Sequence, residues 1–314
     1  MNKTVVVALG GNAITCPGEA GTIPEQFAHT ADTLEHLLPL FREECGIVIT
    51  HGNGPQIGNI LIRVEEGERR VPRLPLDTCV SDSQGGMGYM IQRLACELFR
   101  REFISRTAVT LITQVLVDEH DPEMGHPCKP IGPFYGADEL ARVCEEKPHW
   151  LIREIEPGRF RRVVASPRPL QILEVSAIRQ LVESGVVTIA CGGGGIAVAW
   201  EDGRLVGIEG VIDKDLASSL LALDLSAEKL IILTSVNRVA LHYDTPGQEW
   251  LDTLTTAQAR RHLGAGEFPA GSMGPKIEAA IRFVEHGGRE CIITSAQYLA
   301  AALLGKAGTH IVPD

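Results

Sequence analysis

Short apolar runs alternate with longer amphipathic segments along most of this chain of 314 residues. The apolar runs are rich in β-branched residues and are predicted to be buried parallel strands; they cover residues 4–9, 46–51, 107–117, 186–190, 228–236, 290–296 and 309–314. The amphipathic segments are predicted to be helices; they cover residues 24–42, 55–67, 83–103, 213–225 and 275–288. The alternation predicts an α/β fold with a mainly parallel sheet and helices on both of its faces.

The segment 118–162 breaks this alternation. It is rich in proline and charge, and its end resembles a β-hairpin that turns at Pro157-Gly158. We interpret it as a small lid inserted into the main fold. The alternative is a long disordered loop, but the aromatic residues of the segment favour a packed unit; they are Phe134, Tyr135, Trp150 and Phe160.

Three glycine-rich turns follow predicted strands, within residues 8–13, 50–58 and 191–195. In an open parallel sheet, ligands bind beyond the carboxyl ends of the strands. Glycine leaves the backbone N–H groups uncovered, so that anionic oxygens can approach them closely. One such turn can have a purely steric origin, whereas three at one edge favour a cradle for phosphate or carboxylate groups.

Three lysines occupy turns that glycine or proline shapes. Lys214 lies between Asp213 and Asp215 at the start of a predicted helix, and Lys129 lies in the lid. Lys276 begins another helix, where a cation is unfavourable for the helix dipole unless it serves a second purpose, such as holding a phosphate. A single lysine of this kind is better interpreted as solvated. The three together, with the glycine turns and a neighbouring carboxylate, indicate phosphoryl transfer.

Composition narrows the class of protein. The net charge of −11 argues against nucleic acid or an anionic membrane surface as the main partner. Eight scattered cysteines without a C-x-x-C pair predict the reduced thiols of a cytoplasmic protein. The first apolar run is too short for a signal peptide, and no run approaches the roughly 20 apolar residues of a membrane span.

Other kinds of site fit the sequence less well. Neither a G-x-x-x-x-G-K-[ST] loop nor a G-x-S-x-G elbow occurs, which excludes a Walker-type site and a hydrolase nucleophile of that kind. His120, Asp121, His126 and Cys128 could ligate a metal ion, but their irregular spacing disfavours it. His51 follows a buried strand and is predicted to hydrogen-bond the backbone instead of acting as a base.

The motifs resemble, in order and nearly from end to end, those of the carbamate kinases in the amino-acid-kinase superfamily. The motifs are ALGGNA, HGNGPQIG, LPLDTCVSDSQGGMGY, KPIGPFY, RRVVASPRP, CGGGG, VIDKDLAS and GSMGPKIEAA. The resemblance implies a three-layer αβα sandwich with a protruding lid subdomain, assembled as a homodimer. It implies the reaction ATP + carbamate ⇌ ADP + carbamoyl phosphate, with small-molecule substrates and Mg²⁺ held mainly by the nucleotide phosphates. Residues 1–220, including the lid, would form the acceptor lobe, and 221–314 the nucleotide-binding lobe.

The resemblance also implies a role for individual residues. The catalytic residues would be Lys129, Lys214, Asp215 and Lys276. The acceptor and phosphate groups would be held by Gly10, Gly11, Asn12, Gly52, Asn53, Gly193 and Gly194. The nucleotide would be held by Thr234, Ser235, Val236, Tyr243, Ser272, Met273 and Lys276. No protein ligand to a metal is expected.

One segment departs from the family. Carbamate kinases typically read T-D-V-D-N-V-Y where this chain reads T-S-V-N-R-V-A at 234–240. Two acids and an aromatic residue are replaced, the second acid by Asn237 and the aromatic residue by Ala240. Tyr243 could compensate, and Tyr243 or the loop 264–273 is the next candidate for the base contact. We expect weaker or less selective recognition of the base. Two alternatives stay open: a kinase that uses another small acid or nucleotide, and a binding protein without turnover, which the three lysines disfavour.

Overall fold

The computed structural model of the protein describes residues 3–11, 14, 19–269 and 271–314. Asn12, one of the predicted acceptor residues, lies outside the described residues. In the described ranges, no helix combines the length and the apolar character that crossing a membrane requires.

Helices and strands alternate through the described residues. The helices are α1 (Ile23–His36), α2 (Leu38–Phe41), α3 (Gly54–Gly67), α4 (Leu76–Arg101), α5 (Ala137–Glu146), α6 (Val175–Glu183), α7 (Lys214–Asp224), α8 (Thr256–Gly264), α9 (Met273–Glu285) and α10 (Leu299–Leu303). The strands are β1 (Thr4–Leu9), β2 (Gly46–His51), β3 (Ala108–Thr110), β4 (Gln114–Leu116), β5 (Lys129–Gly136), β6 (Leu151–Glu156), β7 (Arg159–Val164), β8 (Gln171–Ile172), β9 (Val187–Ile189), β10 (Ile196–Glu201), β11 (Arg204–Gly207), β12 (Lys229–Leu233), β13 (Val239–Leu241), β14 (Glu249–Leu251), β15 (Thr253–Thr255), β16 (Glu290–Thr294) and β17 (Thr309–Val312).

A large, mainly parallel sheet with helices on both faces organises the fold, as the sequence predicts. Its strand order is β15-β17-β16-β12-β1-β2-β9-β3, and among these described strands only β16 and β17 pair antiparallel. Successive residues of a strand point to opposite faces. Val5, Val7 and Leu9 therefore pack with α1 and α4, while Val6 and Ala8 pack with α6, α7 and α9. The buried β1 is thus the centre of a three-layer αβα arrangement.

Residues 107–117, predicted as one strand, form two. β3 lies at the edge of the large sheet, whereas β4 belongs to a second sheet of order β11-β10-β4-β8. The chain changes sheets where the side chain of Gln84 on α4 accepts from the Thr113 N–H at 2.8 Å and donates to the Thr113 carbonyl at 3.1 Å. A contact between residues this far apart in the chain leaves no trace in the local apolar pattern, which explains the error.

The lid is a packed unit, as the aromatic residues of the segment predict. Strands β5, β7 and β6 form an antiparallel sheet that is joined by α5. Tyr135, Val143 and Trp150 form its small core. The predicted hairpin is confirmed: β6 and β7 flank Pro157-Gly158, and Gly158 adopts a φ of +72° that suits glycine. The division of the chain at 220/221 stays a prediction, and residue 220 lies inside α7.

Candidate active site

The predicted glycine turns meet at one edge of the large sheet. Strands β1, β2 and β9 are neighbours and run parallel, so that their carboxyl ends lie side by side. The turns that follow them line a cavity of about 520 Å³, which we call the charged cavity. The predicted residues that line it are Gly11, Gly52, Asn53, Gly193, Lys129, Lys214, Asp215, Ser272 and Lys276. Residues from the lid, from α7 and from α9 thus join residues of all three turns.

The third glycine turn needs its glycines for close packing. Gly193 and Gly194 adopt φ values of +66° and +92°. A Cβ on Gly193 would lie 2.2 Å from Asn53 Nδ2, and one on Gly194 would lie 2.3 Å from the carbonyl oxygen of Ile212. Gly10 is equally tight, since its Cβ would lie 2.6 Å from the oxygen of Leu233. Gly10 and Gly194 are not among the residues that line the charged cavity, and for them the structure shows a packing role.

A hydrogen bond to a residue of α4 orients the side chain of Asn53. Its Nδ2 donates to Ser83 Oγ at 2.8 Å, and Ser83 Oγ donates to the carbonyl of Val80 at 2.6 Å. Because a carboxamide whose nitrogen is engaged in this way has a defined orientation, Asn53 is pre-positioned before any ligand arrives.

Asp215 holds two lysines at the centre of the charged cavity. Lys214 Nζ donates to Asp215 Oδ1 at 2.5 Å, and Lys276 Nζ donates to Asp215 Oδ2 at 3.1 Å. The Asp215 side chain is only 4% exposed. Burial disfavours its charge, but the attraction of Lys214 and then of Lys276 outweighs burial and holds the pKa of Asp215 below its usual value. The cluster therefore presents two ammonium groups with one carboxylate between them, and it explains why a lysine lies in the first turn of α9.

Asp213 links the lid to this cluster. Its Oδ1 caps α7 by accepting from the N–H groups of Asp215 at 2.9 Å and Leu216 at 3.4 Å. Its Oδ2 accepts from Lys129 Nζ at 3.2 Å. The structure thus brings together Lys129, Lys214 and Lys276, the three lysines that the sequence selects, although they come from separate parts of the chain.

His51 makes the predicted backbone contact. It is buried under the charged cavity, and its Nδ1 is 3.0 Å from the carbonyl oxygen of Gly52, to which it donates. Burial lowers the pKa of His51 from 6.5 to about 4; the backbone hydrogen bond opposes this shift, and nearby Lys214 adds to it. The ring is therefore neutral near pH 7.

The arginines at the end of the lid and just after it make different contacts. Arg161 lines the charged cavity and donates to the carbonyl of Gly132 through Nε at 3.1 Å and Nη2 at 2.8 Å. Arg162 pairs with Glu209 at 2.6 Å, and Arg168 forms an ion pair at 2.7 Å on the surface of α9. Within the described part of the chain, no three His, Cys, Asp or Glu side chains are grouped as metal ligands.

A second, apolar cavity of about 160 Å³ adjoins the charged cavity, and the two share Ser272 and Lys276. All the residues that the sequence assigns to the nucleotide line it: Thr234, Ser235, Val236, Tyr243, Ser272, Met273 and Lys276. Three further residues line it: Phe268 and Pro269, which lie in the loop 264–273 that the sequence offers as an alternative base contact, and Arg238, which the sequence does not assign. Arg238 lies within the departing segment and could have been found there, whereas Phe268 and Pro269 carry no motif.

The departing segment divides between the cavity wall and the interior. Ser235 and Ala240 line the apolar cavity. Asn237, which the sequence analysis groups with them, is not among its lining residues. Its Oδ1 accepts from Thr294 Oγ1 at 3.3 Å and from the N–H of Gly308 at 3.2 Å. The Asn237 amide therefore joins its own loop to the end of β16 and to the loop before β17.

Tyr243 stands at the rim of the apolar cavity on a sharp turn. Its neighbours His242 and Asp244 adopt left-handed φ values of +48° and +60°, and 55% of the tyrosine is exposed. Such backbone values are uncommon outside glycine. The turn presents a ring to the cavity from a position three residues after Ala240.

The fold and the sequence similarity place the protein in a known family. The model of the amino acid kinase family matches residues 3–295, and the chain belongs to this family. Over its full length it is 42% identical to the carbamate kinase of Pyrococcus furiosus, with both chains covered completely. It is also 42% identical to the carbamate kinase-like protein YahI of Escherichia coli, over 99% of each chain.

Solved structures agree with these relatives. The carbamate kinase from Giardia lamblia bound to AMP-PNP superposes with a TM-score of 0.94 at 37% identity, over 100% of this chain and 99% of that one. N-acetylglutamate synthase from Neisseria gonorrhoeae matches with a TM-score of 0.58 at 14% identity, which indicates a shared fold only.

Proposed function

We propose that this protein catalyses ATP + carbamate ⇌ ADP + carbamoyl phosphate. Its full-length relatives are carbamate kinases, and the protein is a phosphotransferase of that kind. The observation that carries the proposal at the level of the site is the meeting of three lysines around Asp213 and Asp215, beside a cavity of the right character for a base.

The chemistry needs positioning and charge neutralisation more than covalent work. Lys129, Lys214 and Lys276 would neutralise the charge that spreads over the transferred phosphoryl oxygens. Asp215 would hold the last two in place, because each of its oxygens accepts from one of them. Carbamate is already an anion, so the reaction needs no general base. This agrees with the position of His51, which is buried and hydrogen-bonds the backbone.

The glycine turns would cradle the acceptor. Gly11, Gly52 and Asn53 line the charged cavity together with the lysines, and Gly193 packs against Asn53. Backbone N–H groups that are free of side-chain cover suit carboxylate and phosphoryl oxygens. Gly10 and Gly194 would support these turns, and Asn12 is proposed as an acceptor residue from the resemblance alone.

Magnesium fits this site as a partner of the nucleotide. Each carboxylate oxygen of Asp213 and Asp215 already accepts a hydrogen bond from a described residue. Mg²⁺ commonly keeps several waters and binds through substrate phosphates. We therefore propose that the phosphates hold Mg²⁺ and that it lowers their charge, while the lysines orient the same phosphates from the protein side.

The nucleotide would extend from the charged cavity into the apolar one. Ser272 and Lys276, which both cavities share, would meet the phosphates at the start of α9. Val236, Met273 and Tyr243 would enclose the base. In this arrangement residues 221–314 form the nucleotide side and residues 1–220 form the acceptor side. Lys276 is the catalytic residue that the nucleotide side would supply.

Three further properties are proposed from the family. The lid, which carries Lys129, would close over the acceptor, and hydrogen exchange of 118–162 with and without substrates would detect it. The protein would be a homodimer, which light scattering measures. It would act in the cytoplasm on small molecules, with neither nucleic acid nor a membrane as partner.

The test is formation of ATP from ADP and carbamoyl phosphate with Mg²⁺, followed by a coupled enzyme. We expect turnover that requires carbamoyl phosphate and that acetyl phosphate does not replace. Turnover with acetyl phosphate but not carbamoyl phosphate would favour a kinase for another small acid. Binding of both substrates without turnover would favour a binding protein.

A further inference from the structure

Arg238 introduces a charged donor into the apolar cavity. It is one of the lining residues, and its side chain is about one-third exposed. Its Nε lies 2.8 Å from Asp252 Oδ1, in an ion pair whose carboxylate is 74% exposed. This buried Nε has no partner with hydrogen-bond geometry in the described structure. The guanidinium is thus held from the solvent side through its buried Nε, and in the described structure no residue accepts a hydrogen bond from its Nη groups.

The other described residues of this cavity do not offset that donor. Arg238 and Lys276 are the charged residues among them, and none is a carboxylate or a carboxamide. Lys276 is already bound to Asp215 on the phosphate side. The charged donor that the cavity wall offers to the base is therefore the Arg238 guanidinium, which Asp252 pairs from outside the cavity.

We propose that Arg238 determines base specificity and makes the cavity prefer 6-oxopurine nucleotides, GDP and IDP, to ADP. The proposal rests on the proposed function, because it assumes that the apolar cavity receives the base. Guanine and hypoxanthine present two adjacent acceptors, O6 and N7, which match the fork of a guanidinium. Adenine presents a donor, the 6-amino group, beside N7, so that it would direct an N–H group at the cation and leave one donor unpaired.

The expected preference is substantial. A bidentate contact of this type discriminates against the wrong base by roughly fivefold to 150-fold. The sequence alone predicts relaxed discrimination from the lost acids and aromatic residue. With Arg238 in the cavity wall, the structure predicts a change of preference.

The experiment is titration calorimetry of the full-length protein with ADP, GDP and IDP at fixed Mg²⁺. Wild type should bind GDP and IDP at least fivefold more tightly than ADP. Arg238→Ala and Arg238→Gln should lose that preference while ADP affinity changes less than threefold. Arg260→Ala is the matched control, because Arg260 pairs with Glu285 on the surface. IDP lacks the 2-amino group of GDP, so a preference that GDP and IDP share must come from the O6/N7 edge of the base.

Two results would overturn the inference: a wild type that prefers ADP, or an Arg238→Ala variant that weakens all three nucleotides equally. The second result would indicate that Arg238 contacts the ribose or the phosphates instead of the base. ATP formation from ADP and carbamoyl phosphate is measured in the same preparations. Turnover without a 6-oxopurine preference refutes this inference alone, whereas binding of none of the nucleotides refutes the proposed function as well.

Discussion

The charged cavity and the apolar cavity share Ser272 and Lys276 but differ in how they are built. In the charged cavity, all three lysines have a hydrogen-bond partner within the protein: Lys129 donates to Asp213, and Lys214 and Lys276 donate to Asp215. In the apolar cavity, Tyr243 is 55% exposed, and the Nε of Arg238 lacks an aligned partner.

This difference indicates which positions of the chain tolerate substitution. A buried carboxylate between two ammonium groups is costly to break, because removal of one member leaves an uncompensated charge. Substitution of a side chain in a half-exposed apolar wall costs less free energy of folding. The resemblance described above predicts the same contrast, because the three lysines match its motifs whereas residues 234–240 depart from them. The predictions below test this contrast, from the largest expected effect to the smallest.

Lys214→Ala should lower phosphoryl transfer by about 10²–10³-fold, the usual loss when one preorganised charge-stabilising group is removed. Steady-state rates with ADP and carbamoyl phosphate measure the loss. Lys306→Ala, at an exposed position outside both cavities, is the control. A Lys214→Ala variant that keeps more than about a tenth of wild-type turnover would remove Lys214 from the mechanism and weaken the contrast.

His51 should make the structure under the charged cavity sensitive to acid. Its pKa is about 4 in the folded protein and near 6.5 when unfolded, so the unfolded chain takes up the proton first. The stabilising contribution of the neutral ring is complete above pH 6.5 and is lost as the pH falls towards 4, by roughly 3 kcal/mol. Urea unfolding between pH 4 and 8 measures it, and His51→Gln should lack this part of the slope.

His310, on β17 beyond the apolar cavity, should respond with the opposite sign. Its Nδ1 lies 2.6 Å from Glu290 Oε1 and its Nε2 lies 2.9 Å from the carbonyl of Ala307. The bond to Glu290 raises the pKa of His310 although burial opposes it. The contribution of the charged ring is present below its unfolded pKa and is lost as the pH rises through the folded one. His310→Gln should therefore lower the free energy of unfolding more at pH 5.5 than at pH 8.5, and an equal loss at both would contradict the assignment.

Tyr243→Ala should have the smallest effect, a threefold to tenfold weaker binding of nucleotide, since one aromatic contact contributes roughly 0.5–1.5 kcal/mol beyond its buried area. Calorimetry with the preferred nucleotide measures it. Tyr298→Ala removes another exposed tyrosine that lies outside both cavities. Unchanged affinity in Tyr243→Ala would leave Phe268 as the next aromatic candidate for the base contact.

The glycine-turn part of the charged cavity could be predicted because its residues directly follow strands. In a parallel sheet the carboxyl ends of neighbouring strands lie together, so turns such as those at Gly52 and Gly193 must meet once β1, β2 and β9 are adjacent. The roles of Gly10 and Gly194 were less predictable. A glycine that faces a ligand and a glycine that packs against a carbonyl have the same local sequence.

The sequence by itself determined the alternation of strands and helices, the packed lid and the choice of three lysines, because each follows from local periodicity or from residues adjacent in the chain. Only the tertiary structure decided that 107–117 divides between two sheets, that Asn237 joins its loop to the end of β16 and to the loop before β17, and that Arg238 enters the cavity wall. These outcomes depend on contacts between segments far apart in the chain, such as the one between Gln84 and Thr113. Such contacts form only when the layers pack, and no local pattern encodes them.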